Sequence, residues 1–209
     1  MKAIILGATG LVGNELLHKI LNATEFNEVI IFVRHEIKLT HPKLKQIISN
    51  LTDLDEHQEQ FQNIDTLFCA LGTTIKKAKT KEAFKQVDYH FPLKAAQIFK
   101  ENNGKHLVII TALGSDPDSS IFYNKTKGDL ERDLKKLHLN KLSIVRPSLI
   151  LGDRQEARFF EGLGQKTAPL FNIFLPKKYQ AVKANTIAET MLNLALNQNV
   201  NSGIEVETI

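Results

Sequence analysis

The chain has 209 residues, 43% hydrophobic and 24% charged, with a formal net charge of +4. These proportions belong to a folded globular protein and exclude a disordered tail, a collagen-like repeat and a disulfide-stapled miniature. This length buries enough surface for one domain, with at most an appended lobe, to fold without staples. The single Cys69 cannot close an internal disulfide, which points to a reducing, cytoplasmic setting. No apolar run approaches the ~20 residues of a spanning helix. The apolar start ends at Gly7 with no small-residue cleavage site after it, so neither a signal peptide nor a membrane partner is expected. The pI near 9.0 raises nucleic acid as a partner. The absence of Trp and the three Tyr residues leave it without the usual stacking platform, and nucleic acid is not expected. The densest basic stretch, Lys76, Lys77, Lys79, Lys81 and Lys85, reads as a solvated loop running onto an exposed helix face. Its second reading is attraction of a phosphorylated cofactor or an acidic substrate.

In chain order, short apolar β-like runs alternate with longer amphipathic ones. Strands are predicted at residues 3–6, 29–33, 46–48, 66–70, 107–111 and 142–145, and helices at 11–21, near 81–100 and at 123–137. Continuous apolar strands between helices imply a parallel sheet covered on both faces. With right-handed crossovers the expected fold is α/β, a Rossmann-type doubly wound sheet. Past Arg146-Pro147 a Phe-rich segment runs from Phe159 to Leu175, then a helix is predicted at 186–196 and a strand at 204–209. No linker intervenes. The expected organisation is one domain over 1–209, with a dinucleotide-binding core at 1–150 and a small cap or substrate lobe plus terminal strand at 151–209.

Three signals carry chemistry. Gly7-Ala8-Thr9-Gly10-Leu11-Val12-Gly13 directly follows the first strand and opens a helix. Such a turn uses glycine for its tight conformation and for close approach of backbone to a pyrophosphate. The helix N-terminus then offers N–H groups and its positive dipole end to the phosphates. Arg34 follows the second strand, where an NAD site usually carries Asp or Glu for the ribose hydroxyls. A planar guanidinium suits a 2′-phosphate, so NADP is expected over NAD, with Lys38 as a helper. Third, Tyr123 and Lys127 stand four apart on one face of the helix after the fifth strand. An ammonium there is expected to lower the phenol's pKa toward working pH for general acid/base catalysis.

Together with Arg146-Pro147-Ser148, these motifs resemble the short-chain dehydrogenase/reductase superfamily in its extended or atypical form. The runs Cys69-Ala70-Leu71-Gly72-Thr73-Thr74, Val87-Asp88 and Gly152-Asp153-Arg154-Gln155-Glu156 resemble more closely its Tat-interacting-protein-like branch of NADP-binding, reductase-like proteins. The resemblance spans residues 3–160. It implies that Gly7, Thr9, Gly10, Leu11 and Val12 line the pyrophosphate, Arg34 the 2′-phosphate, and Leu51 and Thr52 the adenine. Ala70, Leu71 and Gly72 would pass under the nicotinamide ribose, and Pro147 and Ser148 would flank the nicotinamide. Tyr123 would donate the proton, while Lys127 would hold the ribose hydroxyls and tune Tyr123. Two positions depart from the pattern. Where the superfamily usually places a Ser after the fifth strand, either Thr111 or Ser115 would supply the hydroxyl. Asn50 stands where related chains often place an Asp near the adenine amino group.

The seven His residues show no paired spacing for a metal site, and Cys69, inside an apolar strand, reads as core rather than nucleophile. Two functions from different classes remain open. One is an NADPH-dependent reductase of a small carbonyl compound, with nucleotide-sugar epimerisation as a variant disfavoured by the short C-terminal part. The other is a catalytically silent NADP(H)-binding sensor or regulator that engages a protein partner. A monomer and a homodimer are equally compatible with the sequence.

Overall fold

The computed structural model describes residues 1–151, 181–197 and 203–209. Seven strands form one parallel sheet: β1 (Lys2–Leu6), β2 (Glu28–Val33), β3 (Leu44–Ile48), β4 (Thr66–Cys69), β5 (His106–Ile110), β6 (Lys141–Arg146) and β9 (Gly203–Thr208). Their order is β3-β2-β1-β4-β5-β6-β9. The inner strands are apolar on both faces because both faces are covered. Ala3 and Ile5 of β1 pack with α1 (Leu11–Asn22), whereas Ile4 and Leu6 pack on the other side with α4 (Phe91–Glu101) and α5 (Phe122–Lys136). The strand order reverses between β1 and β4, which opens a crevice at the C-terminal edge where doubly wound sheets bind their ligands.

The described part of the expected C-terminal lobe joins this body. Helix α6 (Ala184–Leu196) lays Ile187, Ala188, Met191 and Leu194 into the same core as Leu16, Leu17 and Ile20 of α1, and β9 extends the sheet beside β6. A second, two-stranded sheet pairs β7 (Ile150–Leu151) with β8 (Val182–Lys183). The Phe-rich segment and the Gly152-to-Glu156 motif lie outside the described residues.

Two regions are finer-grained than the hydrophobic pattern suggests. The helix predicted near 81–100 is α3 (Lys81–Lys85), a π-helical turn (Gln86–His90) and then α4. Pro92, in the first turn of α4, has no N–H for the carbonyl of Asp88 and its ring crowds that carbonyl. The ladder widens just ahead of it. The lysine-rich stretch folds as α2 (Ile75–Ala78) and α3, begun by Thr74 and Thr80, whose hydroxyls accept from the N–H groups of Lys77 and Ala83. All five lysines are exposed.

His106 opens β5 with its ring buried and its Nε2 2.9 Å from Ser143 Oγ. Burial, reinforced by the nearby Lys141 ammonium, holds its pKa down at about 4, against 6.5 for a free imidazole. The unfolded chain therefore takes up this proton first as pH falls. The stability that the neutral ring contributes is complete above pH 6.5 and is lost progressively toward pH 4, by about 3 kcal/mol. Urea unfolding at pH 7 and pH 4.5 measures the loss, and His106→Gln is expected to flatten it.

Candidate cofactor and catalytic site

The glycine turn is tighter than its spacing alone conveys. Gly7 has φ 84°, and a Cβ there would lie 2.6 Å from the Ala70 carbonyl oxygen, so the turn rests directly on the end of β4. A Cβ on Gly13 would lie 2.0 Å from the Gly7 carbonyl oxygen, so α1 can approach β1 only through glycine. Gly10 donates to the Gly7 carbonyl at 2.9 Å and caps α1 without any side-chain cap. No acidic residue occupies the helix's first turn. Among the described residues, none places a carboxylate in a cap on its leading N–H groups, which is the arrangement that receives a phosphate. Thr9, Gly10 and Leu11 are exposed along the turn, whereas the Val12 side chain is buried in the core.

On the β2–β3 side of the crevice, Arg34 and Lys38 are exposed, and Arg34 forms no ion pair with any described residue. Residues 49–53 wind into a compact turn. The Ser49 hydroxyl donates to Asp53 at 2.5 Å and accepts from Leu51 N–H, and Leu51 takes φ 71°. Thr52 donates its N–H and its hydroxyl to Asn50 Oδ1 at 3.0 and 2.5 Å, so that amide oxygen already serves the turn. Leu51 and Thr52 also line an open groove of about 530 Å3, faced by Tyr89, Phe91 and Lys94.

On the β4–β6 side, the chain after β4 carries Ala70, Leu71 and Gly72 past the glycine turn. Thr73 N–H then donates to Asp88 Oδ2 at 2.8 Å, and Asp88 Oδ1 accepts from the Lys127 ammonium at 2.8 Å. Both side chains are enclosed, Lys127 4% and Asp88 1% exposed. The β5 and β6 ends are tied by Leu113 N–H to the Pro147 carbonyl at 2.8 Å, and Ser148 N–H donates to the Ile209 carbonyl at 3.0 Å. Tyr123, in the first turn of α5, is 38% exposed and packs its ring on Phe84, centroids 5.8 Å apart.

The expected tuning of Tyr123 needs correction. Its pKa lies above the ordinary phenol value, not below it. Partial burial is the main cause. Lys127 does pull the phenol down, but the Asp88 carboxylate bonded to that ammonium pushes it back up.

Both candidate hydroxyls are committed. Thr111 Oγ1 donates to Glu131 Oε1 at 2.7 Å. Glu131 is buried and also receives the Arg146 fork, Nε at 2.9 Å and the second guanidinium nitrogen on Oε2. Ser115 Oγ donates to the Ala112 carbonyl at 2.7 Å and accepts its N–H at 3.2 Å, closing the turn after β5. Spacing alone did not single out Asp88, Glu131, Arg146 or Phe84 for this site. A signal for one of them was present, since Tyr123, Lys127 and Glu131 recur every four residues along one helix face. Cys69 is buried and its thiol is pushed up to about 11 by burial, as suits a core residue.

Residues 18–180 match the HIM1 family. Protein HTATIP2 of Rattus norvegicus is 35% identical over 195 residues, which cover 90% of this chain and 78% of that one. The mitochondrial protein FMP52 of Eremothecium gossypii is 31% identical over 209 residues, covering 95% and 90%. Among solved structures, MoeE5 in complex with UDP-glucose and NAD superposes with TM-score 0.74 at 12% identity, over 100% of this chain and 76% of that one. The oxidoreductase ylbE from Lactococcus lactis superposes with TM-score 0.71 at 15% identity, over 100% and 91%. These likenesses establish the α/β fold of short-chain oxidoreductases. The expectation of a cytoplasmic setting does not stand, because the FMP52 relatives are named as mitochondrial proteins. A lone buried thiol is at home in any reducing compartment and cannot separate one from another.

Proposed function

The chain belongs to the HIM1 family, an atypical branch of the short-chain dehydrogenase/reductase superfamily, and from that membership and its site we propose that it is an NADP(H)-dependent reductase of small carbonyl compounds. The observation that carries this reading is the Tyr123–Lys127 face of α5, set at the C-terminal edge of the sheet on the far side of the crevice from Arg34. A dinucleotide lying across the switch point reaches from one to the other.

The residues present fit the cofactor. Gly7 and Gly13 let the turn close-pack against the end of β4 and α1 against β1, the start of α1 is uncapped by side chains, and Arg34 supplies a fork for a 2′-phosphate. Thr9, Gly10, Leu11 and Val12 would hold the pyrophosphate, and Leu51 and Thr52 the adenine. Ala70, Leu71 and Gly72 would support the nicotinamide ribose, with Pro147 and Ser148 beside the ring. When bound, the reduced nicotinamide supplies a hydride to the carbonyl carbon. Tyr123 gives its phenolic proton to the carbonyl oxygen as the carbon–oxygen π bond breaks, and the phenolate regains a proton from solvent. The phenol holds its proton at neutral pH, although a pKa above the ordinary value makes it a weaker acid than one tuned toward working pH.

One observation favours a second reading. With Thr111 and Ser115 both bonded within the protein, no hydroxyl from β5 is left to orient a substrate oxygen, as befits an NADP(H)-binding sensor that recognises a protein. A panel of aldehydes and ketones assayed for NADPH consumption separates the two. Carbonyl-dependent oxidation supports the reductase, and tight NADPH binding with no turnover across the panel supports the sensor.

A further inference from the structure

Lys127 does not stand alone beside Tyr123. Its ammonium is enclosed on Asp88, whose second oxygen holds Thr73 N–H, so one carboxylate joins α5 to the chain that leaves β4. The π-helical turn makes this reach possible by setting Asp88 inward between α3 and α4. Among the described residues, the charged and titratable groups on the elements around the phenol come from four elements. Lys127 shares its helix, and Asp88 comes from the π turn. Cys69 of β4 borders the same pair as a protonated thiol. From α3, apolar Phe84 packs on the ring, while Lys81 stands 5.2 Å over the neighbouring Phe122 ring.

We propose that Asp88 is a positioning residue for Tyr123: it fixes the Lys127 ammonium and takes up its charge, so that the phenol is set to give a proton rather than to accept one. The electrostatic reason is that an ammonium bonded to a carboxylate presents a near-neutral pair to its neighbour, whereas the same ammonium alone would stabilise a phenolate. The opposing effects of Lys127 and Asp88 on Tyr123 agree with this. Under the reductase reading, on which this step rests, Asp88 sets the pH range over which Tyr123 carries the proton it gives, whereas the device itself can be read without any substrate.

The test uses the full chain labelled with 3-fluorotyrosine and followed by 19F NMR. Fluorination brings phenol titration into a range where proteins stay folded, and each of the three tyrosines gives its own resonance. Tyr123→Phe assigns the one that matters. Asp88→Asn retains an acceptor for Thr73 N–H and is expected to lower the Tyr123 midpoint by about one pH unit or more. An unchanged or raised midpoint overturns the proposal. Should this variant fail to fold, Lys127→Gln and the double variant Asp88→Asn/Lys127→Gln carry the test. The midpoint is expected to fall from the first to the second and to return near the wild-type value. No difference between them overturns the proposal. None of these outcomes depends on turnover, so failure here and failure of the reductase reading are told apart.

Discussion

Replacing Tyr123 by Phe is expected to lower carbonyl-dependent NADPH oxidation by about 10²- to 10⁴-fold, the usual contribution of a positioned general acid. The substitution leaves the surroundings of the ring in place. The ring's packing on Phe84 is retained, the buried Lys127–Asp88 pair is untouched, and a third of the residue already faces solvent. Stability is therefore expected to change by less than about 1 kcal/mol, and NADPH affinity to stay nearly unchanged. Steady-state rates and a nucleotide titration on the same preparation check both halves. A variant that retains full turnover would remove Tyr123 from the chemistry and leave the α5 face without a proton donor.

Gly13→Ala is expected to act through the fold. The added methyl would meet the Gly7 carbonyl oxygen at 2.0 Å, and both are backbone or backbone-linked atoms, so no side-chain rotation relieves the clash. Helix α1 must lift from β1, disturbing Val12, Leu16 and Leu17 in the core beneath it. Overpacking of this kind costs about 3 kcal/mol, or roughly 6–12 °C in Tm for a chain of this size. The same displacement spreads the glycine turn, and under the proposed function NADPH affinity is expected to fall along with stability. Gly10→Ala, where a Cβ would stand 3.1 Å from the same oxygen, is expected to be milder on both counts. Thermal unfolding with and without NADPH measures the pair.

The sequence made the sheet legible for a simple physical reason. Strands buried on both faces, such as Ala3 to Leu6 and Val29 to Val33, are uninterrupted apolar runs, and the glycines between β1 and α1 mark a place where no Cβ fits. Family membership was legible from motifs spread along the chain. What stayed hidden depends on contacts between distant residues. The Lys127–Asp88 bond joins positions 39 apart through a π turn that local propensity does not foretell. Thr111 and Ser115 each looked able to orient a substrate, and only the placement of Glu131, Arg146 and the Ala112 backbone shows both hydroxyls occupied. The expected lowering of the Tyr123 pKa failed because spacing shows the ammonium but neither the burial that raises the phenol most nor the carboxylate that offsets Lys127. The compartment was never written in the cysteine count.

The most direct test of the account is a calorimetric titration of the chain with NADPH and with NADH, repeated on Arg34→Glu. The account predicts that NADPH binds more tightly than NADH, and that the variant loses about 10- to 100-fold in NADPH affinity, the worth of a charge-assisted contact to phosphate, while NADH is little affected. If neither nucleotide binds the wild-type chain, the glycine turn is only a close-packed corner of the fold, and both the reductase and the sensor fall with it.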